Sequence, residues 1–132
     1  MTTAGGLAPG DELHPVQQAL AEFSEEAAAV DAAAAACAAA LDAGDAGFEI
    51  AAAKYRLGLA VDRAVPIAHR VHGAIGFTIE YALNRYTRRL MHWRSEFGSD
   101  ALWARRLGQQ VAALGGQGLW REVASRTDRL IA

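Results

Sequence analysis

The sequence predicts an all-α fold, an antiparallel bundle of four to five helices, and three observations predict it. Alanine is concentrated between positions 27 and 53, and alanine loses little entropy in a helix while letting neighbouring backbones approach. Apolar residues recur at spacings of three and four, the period of a helix with one buried face. The breaks between these runs are short, and short connections join antiparallel neighbours. At 132 residues, 52% hydrophobic and 21% charged, the chain is one domain's worth and large enough to enclose one core.

Residues 1–13 hold Gly5, Gly6, Pro9 and Gly10 and little to bury. They read as a flexible lead-in to a helical domain over 14–132. The first helix starts near Pro15, since proline suits a first turn, and runs to Asp42 with Val16, Leu20, Phe23, Ala27 and Val30 on its inner face. Glu22, Glu25, Glu26 and Asp31 fall mostly off that face. Gly44 suits a left-handed cap and Asp45 an N-cap. A second helix over about 46–71 carries the stripe Ile50, Ala53, Leu57, Ala60 and Ala64, with Pro66 inside it as a kink or a lost hydrogen bond. A break at Gly73–Thr78 follows. The third helix, about 79–96, faces inward through Tyr86, Leu90, Trp93 and Phe97. The fourth, about 100–114, uses Leu102 or Trp103, Leu107, Val111 and Leu114 and ends at Gly115-Gly116. A short last helix carries Leu119, Trp120, Val123, Leu130 and Ile131.

Composition excludes several function classes. A net charge of −2 and a pI of about 6.1 provide no global field toward nucleic acid or an anionic membrane. No apolar run spans a bilayer without Asp, Glu, Arg or His. The N-terminus lacks the basic and apolar regions of a secretion signal, and Cys37 is the only cysteine. A cytoplasmic protein with a reduced, packed thiol is expected. His69 and His72 stand at i,i+3 but have no further ligand at metal spacing, so no metal site is expected. Ser24, Ser95, Ser99 and Ser125 lack a nucleophile-elbow context.

Two stretches could carry chemistry. Arg85, Arg88, Arg89 and His92 share one face of the third helix. That face is either a solvated surface with ordinary ion pairs, using Glu80, Glu96 or Asp100, or a seat for a phosphate group or an acidic partner. Without a second basic cluster, nucleic acid is not expected. The run HGAIGF, from His72 to Phe77, is too poor in glycine for a phosphate loop and follows no strand. It is either a helix corner, where Gly73 and Gly76 permit positive φ, or a backbone surface open to a phosphate.

The stretch from Phe48 to Gly98, with FEIAAAKYRLG, AHRVHGAIGFTIEYALNRYTRR and WRSEFGS, resembles the C-terminal helical domain of the acyl-CoA dehydrogenase family. A weaker likeness extends from about Leu13 to Asp128. The resemblance implies FAD-dependent oxidation of an acyl-CoA thioester between its α and β carbons, in fatty acid or lipid metabolism. It also implies assembly as a homo-oligomer or a heteromer with a flavin-bearing subunit. In the family a glutamine followed by a glycine-rich turn contacts the FAD of the neighbouring subunit. The matching positions are Arg70, where glutamine is usual, and Gly73, Ala74, Gly76 and Phe77. Many members take the α proton with a glutamate just before a glycine. That position holds Phe97, before Gly98, so the catalytic candidate is Glu96, one residue earlier and about 100° away if helical. These 132 residues match neither the N-terminal helical domain nor the middle β domain. A partial subunit that needs a partner is therefore expected, with a non-catalytic interaction module as the alternative.

Overall fold

The structure, a computed structural model, describes residues 14–75 and 80–131. Four helices account for nearly all of these: α1 (Pro15–Asp42), α2 (Gly47–Ile75), α3 (Glu80–Ser95) and α4 (Asp100–Ile131). No strand occurs among the described residues, so the all-α bundle expected from periodicity is the fold. The lead-in over 1–13 and Gly76, Phe77 and Thr78 of the expected break lie outside the described residues.

α1 begins with a reciprocal cap. His14 Nδ1 accepts from the Val16 N–H at 3.3 Å, Gln17 Oε1 accepts from the His14 N–H at 3.3 Å, and Pro15 fills the first turn. Gly44, at φ 83°, closes the far end. Asp45 was expected to cap α2 but directs its carboxylate to Arg126 at 3.1 Å. α2 continues through Pro66 to Ile75, four residues beyond the expected end, so Gly73 lies in its last turn and not in a corner. One helical glycine costs about 1 kcal/mol, too little to end a helix whose Val71 is buried.

α2 is the central element. The start of α1 packs on its end through Ala19, Val16, Ile67 and Val71, which makes the pair antiparallel. α3 also runs antiparallel to it, with Thr87 at His69 and Glu96 at Lys54. α4 starts beside Gly58 and passes Gly47 at Gln110. At Gly115 (φ 68°, ψ 169°) its backbone leaves the helical region, and the second half turns back to place Arg126 on Glu49. The last helix is thus a full half of α4, not a short tail.

The core is thin. The buried apolar residues are Ala19, Ala40, Ala46, Ala51, Ala60, Val61, Ile67 and Val71, and no large side chain among the described residues is fully buried. Alanine brings helices close but removes little apolar area from water.

On three helices, apolar residues face outward while polar ones turn in. In α1, Leu20, Phe23 and Ala27 are exposed, while Ala19, Glu26 and Ala40 are buried. In α3, Tyr86 (68% exposed) and Trp93 (46%) face outward, Leu90 is exposed at the margin, and Phe97 lies beyond the helix. Its inner face is Leu83, Thr87 and Arg94. In the second half of α4, Trp120 and Val123 are exposed, and Leu119, Glu122 and Arg126 turn inward; Leu114, in the first half, is also exposed. One cause is common to all three. Polar partners on other helices set the rotation, and the thin apolar core does not override them.

Candidate functional site

The sequence singles out the end of α2. Arg70 is exposed there and lines an open groove with Glu22, Glu25, Pro66 and Ile67. No ion pair to Arg70 occurs among the described residues. Gly73 is exposed one turn on, and a methyl group on it would meet no described atom within 4 Å. Ala74 continues the helix, while Gly76 and Phe77 lie outside the described residues. Arg70 is thus an exposed cation one turn before Gly73, at the C-terminal end of α2, where the free backbone groups are carbonyls. The neighbouring histidines have structural partners: His69 Nε2 lies 3.2 Å from the Thr87 hydroxyl, and His72 Nδ1 lies 2.8 Å from the Ala68 carbonyl, which accepts from it. Among the described residues no group of three or more His, Cys, Asp or Glu could hold a metal. Cys37 is half-buried.

Glu96 lies at the other end of α2. Lys54 Nζ donates to the carbonyls of Glu96 at 2.8 Å and Arg94 at 3.1 Å, closing the C-terminal end of α3 with a cation. This fixes the Glu96 backbone and leaves its side chain exposed. From Lys54 to Arg70 is sixteen residues of α2, about 24 Å at the helical rise. Glu96 and the Arg70–Gly73 edge are not brought together. Phe97, at the family's usual base position, has φ 63° and is 85% exposed. Its left-handed backbone is uncommon for a bulky residue, and it presents the ring to solvent.

Three ion clusters, unseen from spacing, hold the ends of this arrangement. Arg94 donates to Asp62 at 2.9 Å and to Asp100 at 2.6 Å, joining α3, α2 and the start of α4. Those bonds, Asp100 first, raise its pKa above the ordinary value. Glu26, buried on α1, accepts from Arg63 at 2.9 Å and pairs with Arg56, both on α2. The Arg63 bond leads in holding its carboxyl below the usual value, against the effect of burial. Arg126 donates to Glu122 at 2.7 Å, Glu49 at 2.9 Å and Asp45 at 3.1 Å, and its guanidinium lies 5.4 Å from the Phe48 ring centre. Burial opposes its charge, but the bonds to Glu49 and Glu122 outweigh that and raise its pKa. Except for Glu122 and Asp100, the partners stand 30 to 81 residues apart in sequence.

The arginine face of α3 is exposed at Arg85, Arg88, Arg89 and His92, and the Arg89 guanidinium stacks on Trp93 at 4.7 Å. Asp100, one of its expected partners, is engaged by Arg94. Among the described residues no helix is long and apolar enough to cross a membrane.

Searches of curated proteins and of solved structures returned no match to the chain. The family model described as acyl-CoA dehydrogenase, C-terminal domain, matches residues 12–112, which takes in α1, α2, α3 and the first part of α4. That span covers most of the 132 residues, and the chain belongs to the acyl-CoA dehydrogenase C-terminal domain family.

Proposed function

We propose that the chain is the helical part of an assembly that carries out FAD-dependent α,β-dehydrogenation of an acyl-CoA thioester, with a partner supplying the flavin-bearing and substrate-binding domains. FAD, when bound, supplies the acceptor for the hydride. The observation that carries the reading is the edge at the end of α2, where Arg70 is free of ion pairs among the described residues and Gly73 leaves the backbone open. Arg70 pairs with a phosphate oxygen and Gly73 permits close approach; the family resemblance assigns the rest of that contact to Ala74, Gly76 and Phe77. Glu96 is the candidate base within this chain, and the isolated chain, without the partner's domains, has no turnover. The lone cysteine supports a cytoplasmic setting.

A second reading is a non-catalytic module that keeps only an association surface. The exposure of Phe23, Tyr86, Trp93 and Phe97 supports it.

The test is purification of the chain alone and with a co-expressed partner, followed through flavin absorbance and acyl-CoA-dependent reduction of an electron acceptor. Flavin is expected in the complex only, and Arg70→Ala should weaken its affinity about tenfold or more. An unchanged affinity removes Arg70 from the site. A flavin-free complex leaves the association module as the function, and turnover by the chain alone overturns the division of labour.

A further inference from the structure

The outer surface of α3 grades from apolar to cationic. At about 100° per residue, Tyr86 and Trp93 follow Leu90 around the helix, Arg89 and Arg85 come next, and Arg88 lies beyond them. All of these are exposed. Leu90 also lines an open apolar groove with Phe23 and Val30 of α1 and Leu57 and Ala64 of α2. Apolar groove, aromatic row and arginine row are thus neighbours on one surface. Arg85 and Arg89 line a cleft with Ala82 and Tyr86. No ion pair to Arg85, Arg88 or Arg89 occurs among the described residues. Arg89 is instead stacked on Trp93 at 4.7 Å.

We infer that this surface docks on an anionic lipid membrane, with α3 lying along the bilayer surface. It does not span, since no helix among the described residues is long and apolar enough to cross. Each row of the surface matches one level of the lipid. Leu90 and the groove meet the acyl boundary, and Tyr86 and Trp93, each with a polar tip, suit the headgroup level. The arginines pair with lipid phosphates, two of them across the cleft at Tyr86. The formal charge of the whole chain, −2, does not prevent this, because a field falls off within about 8 Å at physiological salt. Locally, α3 carries Arg85, Arg88, Arg89 and Arg94 against Glu80, and only Arg94 of the four is paired internally. Glu22 and Glu25 of α1 open onto the separate groove of Arg70. A soluble polyanion would use the arginines and leave both rings and the groove in water, whereas a lipid surface covers all three. The inference needs neither flavin nor a partner subunit, so it stands or falls apart from the cofactor reading above.

Co-sedimentation of the full chain with vesicles tests it. The chain should bind vesicles of phosphatidylcholine mixed with phosphatidylglycerol, and bind pure phosphatidylcholine about tenfold more weakly or less. Affinity for the anionic vesicles should fall as salt rises. R85Q/R89Q should weaken that binding about twentyfold, whereas R105Q/R121Q, the same charge change at exposed positions of α4, should cost about twofold at most. Y86S/W93S should weaken it about tenfold at unchanged charge, with helical circular dichroism preserved because both rings face solvent. Failure to bind the anionic vesicles at low salt overturns the proposal. So do equal losses in the two arginine variants, or a Y86S/W93S chain that binds as the parent does. Binding to heparin as tight as to the vesicles, and untouched by Y86S/W93S, would assign the arginines to a soluble polyanion and overturn it as well.

Discussion

A methyl group at position 58 and one at position 73 should have opposite effects, although both glycines lie in α2. At Gly58 an added Cβ would stand under 3.0 Å from the Asp100 carboxylate, and that carboxylate is held by Arg94. Gly58→Ala should therefore lose roughly 1–3 kcal/mol, read from urea denaturation. At Gly73 the methyl group meets nothing described within 4 Å, and the backbone is helical. Gly73→Ala should gain roughly 0.5–1 kcal/mol in the isolated chain. If that gain comes with weaker flavin binding in a complex, the glycine serves a ligand and not the fold. Both positions read as glycine in the sequence, and only one of them was marked by its neighbours as special. Gly58 carried no signal, because its partner Asp100 is 42 residues away.

Among the elements, α3 and the second half of α4 are set by charge more than by apolar periodicity. Apolar spacing located α3 within a residue or two yet chose the wrong face for it, and it gave the last helix neither its length nor its orientation. Tyr86, Leu90 and Trp93 form a good stripe, but Thr87 and Arg94 have partners on α2, and an unpaired buried cation costs more than an exposed ring. For α4, Gly115 permits the turn and Arg126 holds the returning half. Arg126→Met should leave Glu49, 7% exposed, without its cation. The expected result is faster amide exchange by roughly tenfold across residues 116–131, with α1 and the first part of α2 little changed. Uniform exchange across the whole chain would mean that the clamp supports the bundle and not this segment.

For the whole molecule, a core of alanines gives each ion cluster unusual weight. Glu26 is buried between α1 and α2, and Arg63 with Arg56 keeps its pKa below the ordinary 4.5. A carboxyl whose folded pKa is depressed stabilises the fold above its unfolded pKa, and that stabilisation disappears as pH falls through the folded value. Melting temperature should thus fall as pH drops below about 4.5. Glu26→Gln should melt roughly 5 °C lower at neutral pH and show a shallower acid slope. An equal slope in the variant would assign the acid sensitivity to the Arg126 or Arg94 clusters.

The sequence by itself determined the helical class, the bounds of α1, the helix ends at Gly44 and Gly115, and the family, because these depend on neighbours within a turn or on a contiguous motif. It also marked Arg70 and Gly73 as a candidate edge. Only the tertiary structure decided which faces are buried, that Gly73 is helical, that Glu96 stands far from that edge, and that an apolar groove lies open between α1 and α3. The physical reason is range. Helix formation and capping are settled within four residues, whereas burial here follows ion pairs and close backbone contacts between residues tens of positions apart.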